Sequence, residues 1–115
     1  MKQIINHNKD NGLLNMIGRT DPMIIYLNYE KSAQHSDFKD IGLTYYELIG
    51  HELKHAYDIE FYKNNLPKDK NDIRPTEYYA VNFENLIRKE EGNKLREKYT
   101  IPIPKEYKNK IELWK

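Results

Sequence analysis

The 115-residue sequence contains no cysteine, which excludes a disulfide scaffold, a thiolate metal site and a cysteine nucleophile. Nor does any apolar run approach the roughly 20 residues that span a bilayer as a helix. Charge of one sign is not concentrated either: 19 Lys and Arg stand against 18 Asp and Glu, a net charge of +1, with no long block of either sign. That balance leaves no electrostatic footprint for nucleic acid or an anionic membrane as a partner. No segment reads as a helix-turn-helix. Apolar residues are scarce at 38%, against 32% charged, so a small core is expected. A domain near this size buries roughly two-thirds of its unfolded surface, and a bound metal would supply a noticeable part of its stability. The opening Met1-Lys2-Gln3-Ile4-Ile5-Asn6-His7-Asn8 turns polar too early for a signal peptide. The length fits one domain over residues 1–115.

Leu13, Leu14, Met16 and Ile17 suggest a helical turn that ends near Gly18. After Asp21-Pro22, the compact apolar run Met23 to Leu27 reads as a strand, and the polar stretch Glu30 to Asp40 as a loop. Thr44-Tyr45-Tyr46-Glu47 matches a capping box, in which hydroxyl and carboxylate satisfy free amides at a helix start. The helix is expected from about Tyr45 to about Tyr62, stopped by Asn64-Asn65-Leu66-Pro67. After the charged loop Lys68 to Arg74, Pro75 suits the first turn of a second helix that ends at Gly92. From Tyr99 onward, Pro102 and Pro104 exclude regular helix and predict extended chain over the surface.

The first helix carries His51-Glu52-Leu53-Lys54-His55, an HExxH motif. Histidines four apart on a helix lie one above the other, so both imidazoles reach one ion at the bond length of about 2 Å that zinc prefers. Glu52 lies beside that ion, where it can take a proton from the attacking water. With 4 His in the chain, a chance HExxH is expected on the order of once in a hundred such sequences. His7 and His35 fall in polar segments and read as surface histidines.

A tetrahedral catalytic zinc needs a third protein ligand and one open position. No third histidine follows at the spacing used by metzincins, so a carboxylate is expected. Asp58 is about 10 Å along the helix from His51 at the usual rise, too far to share the ion; it reads either as a group orienting a histidine or as a solvated acid. On the second helix Glu77 and Glu84 are seven apart and share a face, with Arg88 four further on. Glu77, 22 residues beyond His55, allows a loop and a returning helix and is the preferred ligand. Glu84 then braces the site or pairs with Arg88, and is the alternative ligand that spacing favours less.

Three segments occur in an order that resembles the NleD-type effector metallopeptidases: Gly50-His51-Glu52-Leu53-Lys54-His55-Ala56-Tyr57-Asp58, Glu77 to Arg88, and Gly92 to Tyr99. The likeness runs from about Thr44 to Tyr99, roughly half the chain. It implies a zinc endopeptidase found as a secreted bacterial effector or terminal toxin domain, with His51, His55 and Glu77 as ligands and Glu52 as base. It also implies a role for Arg96 and Tyr99, three apart, in stabilising the tetrahedral intermediate, as an Arg and Tyr pair does in clostridial neurotoxin proteases. The competing reading makes Arg96 a surface charge and Tyr99 a packing residue.

The expected architecture is an α+β, minimal zincin-like domain with an active-site helix, a second ligand-bearing helix and a small β element edging the cleft. Its cofactor would be Zn2+ and its partner a protein or peptide substrate, with delivery by a route other than a classical signal peptide or within a larger precursor, or else a cytoplasmic location. Two rivals remain: a regulatory bacterial zinc peptidase, and a non-catalytic interaction module whose zinc is structural or absent.

Overall fold

The computed structural model describes residues 3–6, 24–62 and 67–111. The turn expected around Leu13 to Gly18, His7 and most of the stop signal at residues 64–67 lie outside them. Helices dominate: α1 (Tyr29–Ala33), α2 (Tyr45–Tyr62) and α3 (Pro75–Glu91).

Strand β1 (Gln3–Asn6) pairs in parallel with β2 (Ile24–Leu27), Gln3 facing Ile24 and Asn6 facing Leu27. Strands β3 (Lys98–Tyr99) and β4 (Ile101–Pro102) form a tight antiparallel hairpin. Each strand has one neighbour among the described residues, and pairs this short are marginal without helices beside them. Among the described residues the fold is mostly helical, and the small β element expected to edge the cleft of an α+β domain is not shown.

The start of α2 forms as a reciprocal capping box, Thr44 N donating to Glu47 Oε1 at 2.8 Å and Glu47 N to Thr44 Oγ1 at 3.2 Å. Pro75 opens α3, and Gly92 closes it at φ 75°, its N–H returning to the Arg88 and Lys89 carbonyls. A side chain with a Cβ would be strained in that left-handed position. Helix α3 returns against α2, and the two come close at Gly50, where an added Cβ would stand 2.1 Å from Ile87 Cδ1. The small core gathers Leu27, Phe38, Leu43, Leu48 and Ala56.

Two expectations are corrected. The stretch Glu30 to Asp40 is not a plain loop: it holds α1 and a 3-10 turn at Ser36–Phe38. Local caps stabilise both, Asn28 Oδ1 accepting from Lys31 N and His35 Nδ1 from Asp37 N, bonds that a polar composition conceals. The tail is not simply extended either. After the β3 and β4 hairpin a second 3-10 turn, Lys105–Tyr107, stacks Tyr107 on Tyr78 at 4.9 Å. Asn82 Nδ2 then donates to the Tyr107 and Lys110 carbonyls at 2.8 and 2.7 Å, tying the tail to α3.

Candidate metal centre

Helix α2 sets His51 and His55 one turn apart on its buried side, ring centroids 4.9 Å from each other. Their Nε2 atoms face the same carboxylate oxygen on α3: Glu77 Oε1 lies 2.8 Å from His55 Nε2 and 3.6 Å from His51 Nε2. Donors bound at about 2 Å around one tetrahedral ion stand about 3.3 Å apart, so these separations bracket what a shared zinc requires. Glu52 adds a carboxylate 4.0 Å from His51 Nε2. His51, Glu52 and His55 are buried, with ligand atoms all within 4.8 Å of one another, close enough to hold a metal ion. Glu77 remains partly exposed, its side chain at 27%, so the site opens to solvent on that side.

The other nitrogen of His51 is held from behind. Glu84 Oε1 sits 2.9 Å from Nδ1, which orients the ring and directs Nε2 at Glu77. Glu84 is itself fixed by two guanidinium groups: Arg88 Nε donates to Oε2 at 2.7 Å, and Arg96 Nη1 to Oε1 at 3.0 Å. Arg88 also reaches Glu47 at 3.2 Å, so the residue that caps α2 joins the same network. Beyond Arg96 stands Asp37, whose Oδ2 accepts from Arg96 Nη2 at 3.0 Å and from Thr100 N at 2.8 Å. Three carboxylates alternate with two guanidinium groups, an arrangement that leaves one spare negative charge toward His51 and suits a cation beyond it.

The titration of the site follows from this packing. Burial alone would lower the His51 imidazole, but hydrogen bonds to Glu77 and Glu84 outweigh it and hold the pKa up at about 9. Burial would likewise raise both glutamates. For Glu77 the charge on His55 and the histidine hydrogen bonds win and keep it well below the carboxylate range; for Glu84 the bond to His51 wins, at about 2. Burial first, and then the charge of Glu77, push the Tyr99 hydroxyl far above its usual value.

Tyr99 stacks nearly parallel to the His51 ring, 12° off at 6.5 Å, and Arg96 lies 5.4 Å from its centroid. Arg96 is 6% exposed, which rules out the surface-charge reading. Each of its nitrogens already donates within the protein, Nε to the Lys98 carbonyl at 2.8 Å and the others to Glu84 and Asp37. Asp58 is buried and pairs with Lys54 Nζ at 2.9 Å, which rules out a solvated acid. His35 is exposed as expected, though its ring also caps the turn that carries Asp37.

Sequence reasoning missed Asp37 and the second duty of Glu47. Asp37 sits in His35-Ser36-Asp37-Phe38, 59 residues before the Arg96 it binds, and no periodicity marks such a pairing. The Glu47 to Arg88 bridge was concealed because the capping box already accounts for a glutamate there. Among the described residues no helix is long and apolar enough to cross a membrane. No family model, no curated protein and no solved structure matches this chain.

Proposed function

We propose that the chain is a zinc-dependent endopeptidase that hydrolyses a protein substrate, with His51, His55 and Glu77 as metal ligands, in the setting of a secreted effector or toxin domain. The observation that carries this reading is the convergence of His51 Nε2 and His55 Nε2 on Glu77 Oε1 with the Glu52 carboxylate beside them. A zinc ion there would polarise the scissile carbonyl and acidify water. Glu52 takes the proton of the attacking water and passes it to the leaving amine. Glu84 fixes the tautomer and direction of His51 from its far side, as carboxylates behind ligating histidines do. The Tyr99 hydroxyl stays protonated at neutral pH and can donate to the developing oxyanion. Arg96 acts as a positioning residue through Glu84 and the Tyr99 ring, because its donors are already engaged.

A second reading has one observation in its favour. Glu52 Oε2 lies close enough to His51 Nε2 that four protein donors could close a structural site. The test is metal analysis of the purified protein together with identification of new termini in a lysate exposed to it. One zinc per chain with new termini supports the peptidase. One zinc with none, under conditions where Glu52→Gln also loses the metal, supports the closed site.

A further inference from the structure

Beside Glu52, between α1, the start of α2 and the β3 and β4 hairpin, lies a cleft of about 460 Å³. Its size falls within the range of ligand pockets. Phe38, Leu43 and Leu48 give it apolar walls, and His51, Glu52 and Tyr99 form its inner end. His55 and Glu77 do not line it, so the cleft leads away from one side of the candidate metal position only. Of the charged groups that line the cleft, Glu84 is held by Arg88 and Arg96, and Arg96 by Asp37, while Lys31 is exposed to solvent. A charged side chain entering there would lose its water against the apolar walls. An apolar side chain would cover the walls formed by Phe38, Leu43 and Leu48 and gain transfer energy in proportion to the area it buries.

We propose that this cleft is the pocket that selects the substrate, taking one uncharged, medium to large apolar side chain, such as Leu, Met or Phe, from the residue next to the scissile bond. It rests on the endopeptidase reading for the word substrate, whereas the pocket chemistry stands on the walls alone. Ser32 on α1 also lines the cleft and is only half-buried, so Ser32→Trp can fill the pocket without disturbing the core.

The test titrates the full chain, supplied with zinc, with N-acetyl-phenylalaninamide, N-acetyl-leucinamide, N-acetyl-glutamamide carrying a free γ-carboxylate, and N-acetyl-glycinamide, and follows the methyl signals of Leu43 and Leu48. The phenylalanine and leucine probes should shift both residues saturably, with dissociation constants on the order of 1 mM for ligands of this size. Ser32→Trp should weaken them at least tenfold, and Ser32→Ala should not. Absence of saturable shifts, equal binding to Ser32→Trp, or preference for the acidic probe would overturn the proposal. Because the readout needs no hydrolysis, it separates the two claims. Apolar-selective binding in a protein that cuts nothing would support the pocket and remove the peptidase, whereas cleavage of peptides with no apolar preference beside the cut bond would remove the pocket and keep the peptidase.

Discussion

Glu84 Oε1 touches His51 Nδ1 at 2.9 Å while the opposite nitrogen of the same ring faces Glu77. The two glutamates therefore divide their work by which face of one imidazole they meet. Glu77 approaches from the side where a metal would bind, and Glu84 from the side that orients the ring.

That division predicts an order of effects. Glu77→Gln removes an oxygen from the proposed coordination itself, so zinc affinity should fall further than in Glu84→Gln, where the loss should be about 10- to 100-fold. Competition against a chromophoric chelator measures both. A reversed order would move the ligand role to Glu84.

Zinc uptake should release a proton. Chelator-treated protein carries His51 protonated at neutral pH, since its pKa is held at about 9, and the metal requires the neutral ring. Apparent affinity should rise about tenfold per pH unit below 9. The stability of the stripped chain runs the other way. A raised imidazole stabilises fully below its unfolded value of 6.5 and ceases to do so as pH climbs through about 9. The depressed Glu77 and Glu84 stabilise above the ordinary carboxylate value of 4.5 and lose that contribution in acid. Melts in chelator should therefore peak between about pH 5 and 6.5. A maximum at pH 9 would contradict the hydrogen bonding around His51.

Asp37 should matter although nothing in the sequence announces it. It neutralises buried Arg96 and holds Thr100 N, and Thr100 adopts a φ of 58° that a β-branched residue reaches only under strain. Asp37→Asn should cost about 1 to 3 kcal/mol in urea unfolding, because Arg96 loses one charged partner while keeping Glu84. Thr100→Gly should restore part of that loss by relieving the turn. If Thr100→Gly destabilised the Asp37→Asn protein further, the clamp on the hairpin would not be the cause.

What could be read from the sequence was what local rules determine. The capping box at Thr44 and Glu47, Pro75 at the start of α3 and Gly92 at its end all act within a few residues, and each forms as the pattern predicts. The HExxH spacing likewise places both histidines on one helix face, because one α-turn does so by geometry. The loop reading of Glu30 to Asp40 failed for a related reason: caps from Asn28 and His35 stabilise turns whose polar residues resemble a loop. Spacing favoured Glu77 as the ligand but could not exclude Glu84, since they share a helix face. Only the return of α3 against α2 gives each a different nitrogen to meet. Asp37 was illegible because its partners Arg96 and Thr100 lie 59 and 63 residues away.

The decisive variant is Glu52→Gln. The amide keeps the size of a side chain that is 1% exposed, so fold and packing should survive, but it cannot accept a proton from water at neutral pH. If Glu52 is the base and the metal is held by His51, His55 and Glu77, zinc stoichiometry should stay near one. Peptide turnover should fall about a hundred- to ten-thousand-fold with little change in KM, since proton transfer is felt in the transition state and not in binding. Tyr99→Phe should also lower kcat, by less, because one donor to the oxyanion is removed while the ring still stacks on His51. Arg96→Ala should do something different. It strips Glu84 of one cation and Asp37 of its partner, so it should reduce turnover together with zinc affinity and melting temperature. The pattern across the three variants separates the roles. Undiminished turnover in Glu52→Gln would deny it the base's part, and loss of zinc from that variant would make Glu52 a ligand and the site a closed, structural one.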